Sequence, residues 1–259
     1  MTIDVDPDWW KTLFDEVYLV TDARSVGDDD ITRQEIDIFL ALVPMQPHDC
    51  ILDLCGGHGR HTLELCQRGF RDCTVLDYSQ PLLDIGARVA AQRRYPVQFV
   101  QGDARQTELT SEAFDHVLIL GNSLGYIPEP DADLRILQES RRLLKSRGWL
   151  LLDVSDGEAV STKIAPHAWH EIGDDVVVCR QREVKDGLVC AREMVLSKGQ
   201  GMIRDRTYCI RLYGADDLAA LVFRAGFGNV QVHSDASALN RTEDVGCMNH
   251  RLVVAARKP

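Results

Sequence analysis

The sequence is short of positive charge, of long apolar runs and of regularly spaced metal-binding residues, and each shortage removes a class of function. Only 29 lysines and arginines stand against 40 aspartates and glutamates, a formal net charge of −11. A surface of that sign repels phosphate backbones, so no nucleic-acid partner is expected. Arg135, Arg141, Arg142, Lys145 and Arg147 do cluster, but on an amphipathic helix and its C-terminal end. Cations suit a helix dipole there, and the cluster reads as a solvated face. No apolar run approaches the roughly 18 residues that cross a bilayer, so no membrane partner is expected either. The first residues, MTIDVDPDWWKTLF, carry neither a cationic leader nor an apolar signal core. The eight cysteines show no CxxC spacing and the eight histidines no HExxH spacing. His58 and His61 are three apart without an evident third ligand, so no metal site is expected. Scattered cysteines in apolar surroundings point to free thiols, a reducing cytoplasm and no disulfide scaffold.

What is present is an alternation of short apolar strands and helical patterns, with 45% apolar residues to build a core. The stripe Trp9, Leu13, Phe14, Val17 predicts a helix over 8–18, and a second helix spans 32–43, stopped by Pro44 and Pro47. A polar stretch, TDARSVGDDD, separates them. CILDL, CTVLDY, VQFVQGDA, FDHVLILGN and WLLLDVS then read as strands, divided by helices at 60–68, from Ser79 to about Arg93, and at 131–144. Strands alternating with helices predict a doubly wound, Rossmann-like α/β sheet, mostly parallel. After Ser155, runs separated by Gly-Asp, Asp-Gly and Gly-Gln-Gly turns predict a small antiparallel β insertion. A helix at 215–225 and two strands joined by DASALNRTEDVGCMN close the sheet with an antiparallel edge, giving seven strands.

ILDLCGGHGRHTLEL, residues 51–65, places three glycines in four positions between a strand and a helix. Such a loop is entropically costly, so a ligand is expected close to its backbone. In an open α/β sheet that ligand lies beyond the carboxyl ends of the strands. A dinucleotide calls for a third glycine where Thr62 stands, and Asp53 repels a pyrophosphate. A carboxylate there suits a cationic ligand.

DLCGGHGRH resembles the first motif of the class I S-adenosylmethionine-dependent methyltransferases, in the branch reading D-L-x-C-G-T-G-R-H. It matches at Asp53, Gly57, Gly59, Arg60 and His61, and departs with Cys55 in the first glycine slot and His58 where a small residue is usual. The resemblance covers about 44–155 well and the 215–234 stretch fairly well. It implies S-adenosyl-L-methionine as cofactor, S-adenosyl-L-homocysteine as product and a Rossmann-like seven-stranded sheet. It further implies donor binding by Asp53, Gly56, Gly57 and Gly59, with Asp77 on the ribose and Tyr78 on the adenine. Asp103 and Ala104 would meet the adenine edge, and Gly121 would give close backbone approach. Asn122, Ser123 and Tyr126, in the N-S-x-G-Y-like segment, would face the acceptor, with Trp10, Tyr18 and Trp169 as further contacts. His61, Tyr126 and His170 are candidates for a base.

The plainer reading of each acid is a turn or loop cap, which aspartate favours. Residues 1–43 are expected as a helical lid, 44–155 with 215–259 as the donor-binding core, and 156–214 as a substrate-binding insertion. The expected activity is methyl transfer to a small-molecule acceptor by in-line displacement, driven by positioning. An NAD(P)-dependent oxidoreductase and a non-catalytic S-adenosylmethionine-binding module remain alternatives. Acceptor identity and oligomeric state are not encoded in anything legible.

Overall fold

A computed structural model describes residues 3–22, 26–234 and 250–259. Part of the polar stretch after the first helix and all of the loop expected before the last strand, with Cys247 in it, lie outside the described residues.

Five strands, β1 (Cys50–Leu54), β2 (Asp72–Asp77), β3 (Val97–Gln101), β4 (Phe114–Ile119) and β5 (Leu144–Ser155), pair in parallel. The sheet continues through β11 (Arg251–Arg257) to β10 (Gly228–His233), in the order β10-β11-β5-β4-β1-β2-β3. β11 runs against both neighbours, the antiparallel closure expected at that edge. Successive residues of a strand point to opposite faces, and here both faces are apolar. Leu52, Val117, Leu150 and Val254 pack on one side with α5 (Ala132–Leu143) and α7 (Ala215–Arg224). Ile51, Leu118, Leu151 and Val253 pack on the other with α2 (Asp29–Leu42) and α3 (Arg60–Gln67). β1 pairs with β2 on one side and β4 on the other, so the chain order reverses there and a crevice opens at the strand tips. α4 (Gln80–Arg93) starts where expected, with Leu82 N–H donating to Ser79 Oγ at 3.3 Å.

The helix expected over 8–18 is instead a 3-10 turn, Trp9–Lys11, followed by α1 (Glu16–Thr21). Asp15 divides them: its carboxylate accepts from the N–H groups of Val17 at 2.8 Å and Tyr18 at 3.2 Å, which starts a new helix. The insertion is a four-stranded antiparallel meander, β6 (His167–Ile172), β7 (Val176–Lys185), β8 (Leu188–Ser197) and β9 (Gly201–Arg211). It is preceded by a helix the sequence patterning does not signal, α6 (Gly157–Lys163), capped by Asp156. Asp186 and Gly187 both take positive φ, 52° and 75°, as a two-residue hairpin turn requires. The expectation of free thiols fails at one place. Cys190 on β8 and Cys209 on β9 are directly opposite in register and bonded. Strand pairing brings together residues whose spacing in sequence carries no signal.

Candidate active site

A cleft partly open to solvent lies over the tips of β1, β2 and β4. Its floor is the glycine loop. Cys55, Gly57 and Gly59 have φ of 61°, 58° and 74°, a region L side chains rarely enter, so Cys55 occupies a position made for glycine. A Cβ on Gly56 would stand 2.7 Å from the carboxyl carbon of Asp53. The loop therefore lies directly on that carboxylate. Asp53 is fully buried beneath it, and Thr62 Oγ1 donates to its Oδ2 at 2.8 Å. Burial pushes the Asp53 carboxyl up. Thr62, in the place of a third glycine, braces the loop from below.

Along the rim, Asp77 ends β2. It accepts from Gly57 N–H through Oδ2 and from Ser79 N–H through Oδ1, each at 2.8 Å. Burial raises its pKa. Tyr78 is exposed and meets Trp10 edge-on at 4.9 Å between ring centres. Asp103 is held by the Arg105 fork, with Nη2 at 2.6 Å and Nε at 3.0 Å. Burial alone would raise Asp103, but the Arg105 guanidinium carries it below the ordinary range. Ala104 lines the cleft beside it. Gly121, at φ 68°, donates its N–H to Asp153 Oδ2 at 3.1 Å.

Arg60 opens α3. Its Nη1 donates to Thr32 Oγ1 at 2.9 Å and to Glu35 Oε2, both on α2. Its Nη2 is buried and has no hydrogen-bond partner among the described residues, although Arg60 lines the cleft. A buried guanidinium donor without an acceptor marks a place for an anionic oxygen. His61 Nε2 lies 3.0 Å from the same Glu35 oxygen. Burial opposes the charge on Glu35, yet Arg60 and His61 hold its carboxyl well below the usual range. His58, also at the cleft, is lowered to about 4 by burial and then by Arg60 and His61, so its ring is neutral at pH 7.

The N-terminal segment overhangs this floor. Phe14 stacks on Tyr126 at 5.4 Å and meets Tyr18 edge-on at 5.1 Å. Trp9 packs behind them against Tyr126 and against Tyr208 of β9. Trp10, Phe14, Tyr18 and Tyr126 face the cleft. Burial, then Asp22, pushes the Tyr18 phenol up.

The structure thus gathers Gly56, Gly57, His61, Asp77, Tyr78, Asp103, Ala104, Gly121, Ser123, Tyr126, Trp10 and Tyr18 at one cleft. Five expected residues do not line it. Asp53 lies under the loop, and Gly59 ends the loop on its inner side, where a Cβ would press on Val75 and Phe99. Asn122 is buried, and its Oδ1 accepts from Ser155 N–H at 2.8 Å, tying the tips of β4 and β5. Trp169, 71% exposed, and His170 are on β6 of the second sheet. Sequence reasoning gives no role to Arg60, Thr32 or Glu35. The one available signal is that Thr32 and Glu35 are three apart and share a helix face.

Residues 51–148 match a family described as a methyltransferase domain. A glycine/sarcosine N-methyltransferase of Aphanothece halophytica is 26% identical over 197 residues, 75% of this chain and 72% of the relative. A ubiquinone/menaquinone biosynthesis C-methyltransferase, UbiE of Acidiphilium cryptum, is 25% identical over 227 residues, 85% and 83% of the two chains. The CcbJ methyltransferase of Streptomyces caelestis superposes with a TM-score of 0.75 at 20% identity, covering 98% of this chain and 99% of the other, which shows a shared fold.

Proposed function

The chain is a class I S-adenosylmethionine-dependent methyltransferase, and from that premise we propose that it methylates a small molecule enclosed between the glycine loop and the N-terminal lid. The observation that carries the reading is the unpartnered Nη2 of Arg60, at the cleft that Asp77 also lines. A guanidinium and a carboxylate in one cleft fit an amino-acid carboxylate and a ribose diol, two groups the donor carries. Main chain at Gly57 and Gly121 lets the donor approach, while Asp103 and Ala104 flank the adenine position. The acid–base geometry of the site fits this donor on these residues.

When bound, S-adenosylmethionine supplies a methyl group already activated by its sulfonium. The chain's own work is to position and to exclude water, which proximity values at several kcal/mol. Trp10, Phe14, Tyr18 and Tyr126 supply the apolar walls of the acceptor chamber. The 3–22 stretch of the expected lid covers it, while α2 packs on the sheet, and β9 of the 156–214 insertion closes the chamber through Tyr208 behind Trp9. No strong base need act if the acceptor atom is nucleophilic at neutral pH. Of the expected base candidates, His61 and Tyr126 line the cleft, His61 with its Nε2 on Glu35, while His170 is on β6 of the second sheet. The two relatives are named for nitrogen and carbon acceptors respectively, so acceptor chemistry varies among chains of this kind.

Titration calorimetry with S-adenosylhomocysteine, together with transfer of labelled methyl to a metabolite panel, tests the proposal. Asp77→Ala is expected to abolish measurable binding. Unimpaired binding in that variant, or methylation of a protein but of no metabolite, would sink it.

A further inference from the structure

Glu35 and Thr32 lie outside both the sheet and the glycine loop, yet both hold one nitrogen of a cleft residue. We propose that Glu35, aided by Thr32, is a positioning residue for the amino-acid end of the donor: it fixes Arg60 Nη1 so that Nη2 is presented to the donor carboxylate. The proposal rests on the donor reading above and concerns how that site is set.

A guanidinium is a rigid plane with its N–H donors in fixed directions, so pinning one nitrogen sets where the other points. Arg60 spends Nη1 on α2 and keeps Nη2 unspent and buried. Leaving such a donor unsatisfied is costly, and the cost is recovered when an acceptor arrives. The adjacent wall leaves room for one. A Cβ on Gly121 would stand 3.8 Å from Nη2, and Gly121 itself is tethered to Asp153. Glu35 is not able to swing across and quench Nη2, because its Oε2 is also engaged by His61 at 3.0 Å. The carboxylate is thus held between two donors from the start of α3. α2 therefore orients a donor-binding group, and its seating against α3 is coupled to donor binding.

The test compares two ligands on the full chain by titration calorimetry. S-adenosylhomocysteine carries the amino-acid end, and 5′-methylthioadenosine lacks it. Glu35→Gln keeps the shape and removes the charge. It is expected to weaken S-adenosylhomocysteine about tenfold while leaving methylthioadenosine within about twofold. In an Arg60→Met background the same change is expected to have no further effect on S-adenosylhomocysteine. Thr32→Val provides a milder variant with the same selectivity should Glu35→Gln fold poorly. Parallel weakening of both ligands, or undiminished S-adenosylhomocysteine binding, would reduce Glu35 to a structural ion pair and overturn the inference. A wild-type chain that binds neither ligand overturns the donor assignment itself.

Discussion

Arg180, in the middle of β7, and Asp22, at the C-terminal end of α1, form an ion pair at 3.1 Å. At the other end of the same helix, the capping residue Asp15 pairs with Arg204 of β9. Between the two arginines lies Glu193 of β8, whose Oε2 accepts from Arg180 Nε at 2.9 Å. The short helix bearing Tyr18 over the cleft is thus clasped at both ends by the inner face of the second sheet.

Removing one partner of a buried pair costs more than the pair is worth, because the other charge is left stranded. Arg180→Met is therefore expected to destabilise the fold by about 3 kcal/mol. It is also expected to raise KM for the acceptor as the lid loosens. Urea unfolding and proteolytic cleavage in the 3–22 segment are the measurements. A variant with unchanged stability and unchanged cleavage would show that the clasp holds nothing.

The neutral ring of His58 has a pH consequence. Its pKa in the folded chain falls from 6.5 to about 4, through burial first and then Arg60 and His61. Between those values the unfolded chain binds a proton that the folded chain refuses, so stability rises with pH across the window and falls as the solution is acidified from 6.5 toward 4. Each tenfold change in proton affinity is worth about 1.4 kcal/mol, so the full effect is about 3 kcal/mol. His58→Thr should flatten that slope, read from urea midpoints at several pH values. An identical slope in both proteins would place the proton elsewhere.

Gly56 offers a test of the loop against its own support. A Cβ there meets Asp53 Cγ at 2.7 Å and Val75 Cγ1 at 2.9 Å, both in the packed interior. Overpacking of this kind costs about 1–3 kcal/mol, and relief requires the loop to lift. Gly56→Ala is expected to weaken S-adenosylhomocysteine and methylthioadenosine alike, in contrast to the selective loss at Glu35. Normal binding of both would mean that the loop height is not set by Asp53.

How much of this is legible in the sequence follows from what each feature depends on. Asp77, Asp103 and Gly121 stand where strand patterning ends, so a period-two reading locates them at one edge of the sheet. The break at Asp15 is hidden because the apolar stripe runs through it, while the side-chain cap that starts α1 is a local hydrogen-bond choice. Asn122 sits in the N-S-x-G-Y-like segment but spends its side chain on Ser155, a partner 33 positions away that no local pattern announces. Trp169 and His170 stand out in the sequence because aromatic and imidazole groups fall near a predicted insertion. Their alternation along β6 and the separate sheet it joins are not readable there. Arg60 is visible in the motif, and its partners on α2 are not, since tertiary packing alone brings residues 25 and 28 positions apart together.

The bond between Cys190 and Cys209 separates stability from donor binding. It links residues 19 apart in sequence on two strands that already pair along their length, with one bulge between Val195 and Leu196. Chain-entropy arguments give such a crosslink up to about 3 kcal/mol, with less expected here because the hairpin pairing restricts the same loop. Both cysteines are on the second sheet and neither lines the cleft. The double change Cys190→Ser with Cys209→Ser is therefore expected to lower the urea midpoint while leaving S-adenosylhomocysteine affinity unchanged. Through the clasp, however, loosening of β8 and β9 reaches Glu193 and Arg204, so acceptor KM is expected to rise, as for Arg180→Met. A loss of donor affinity comparable to that of Glu35→Gln would show that the two sheets act as one unit, and that the division between donor floor and clasped lid is wrong.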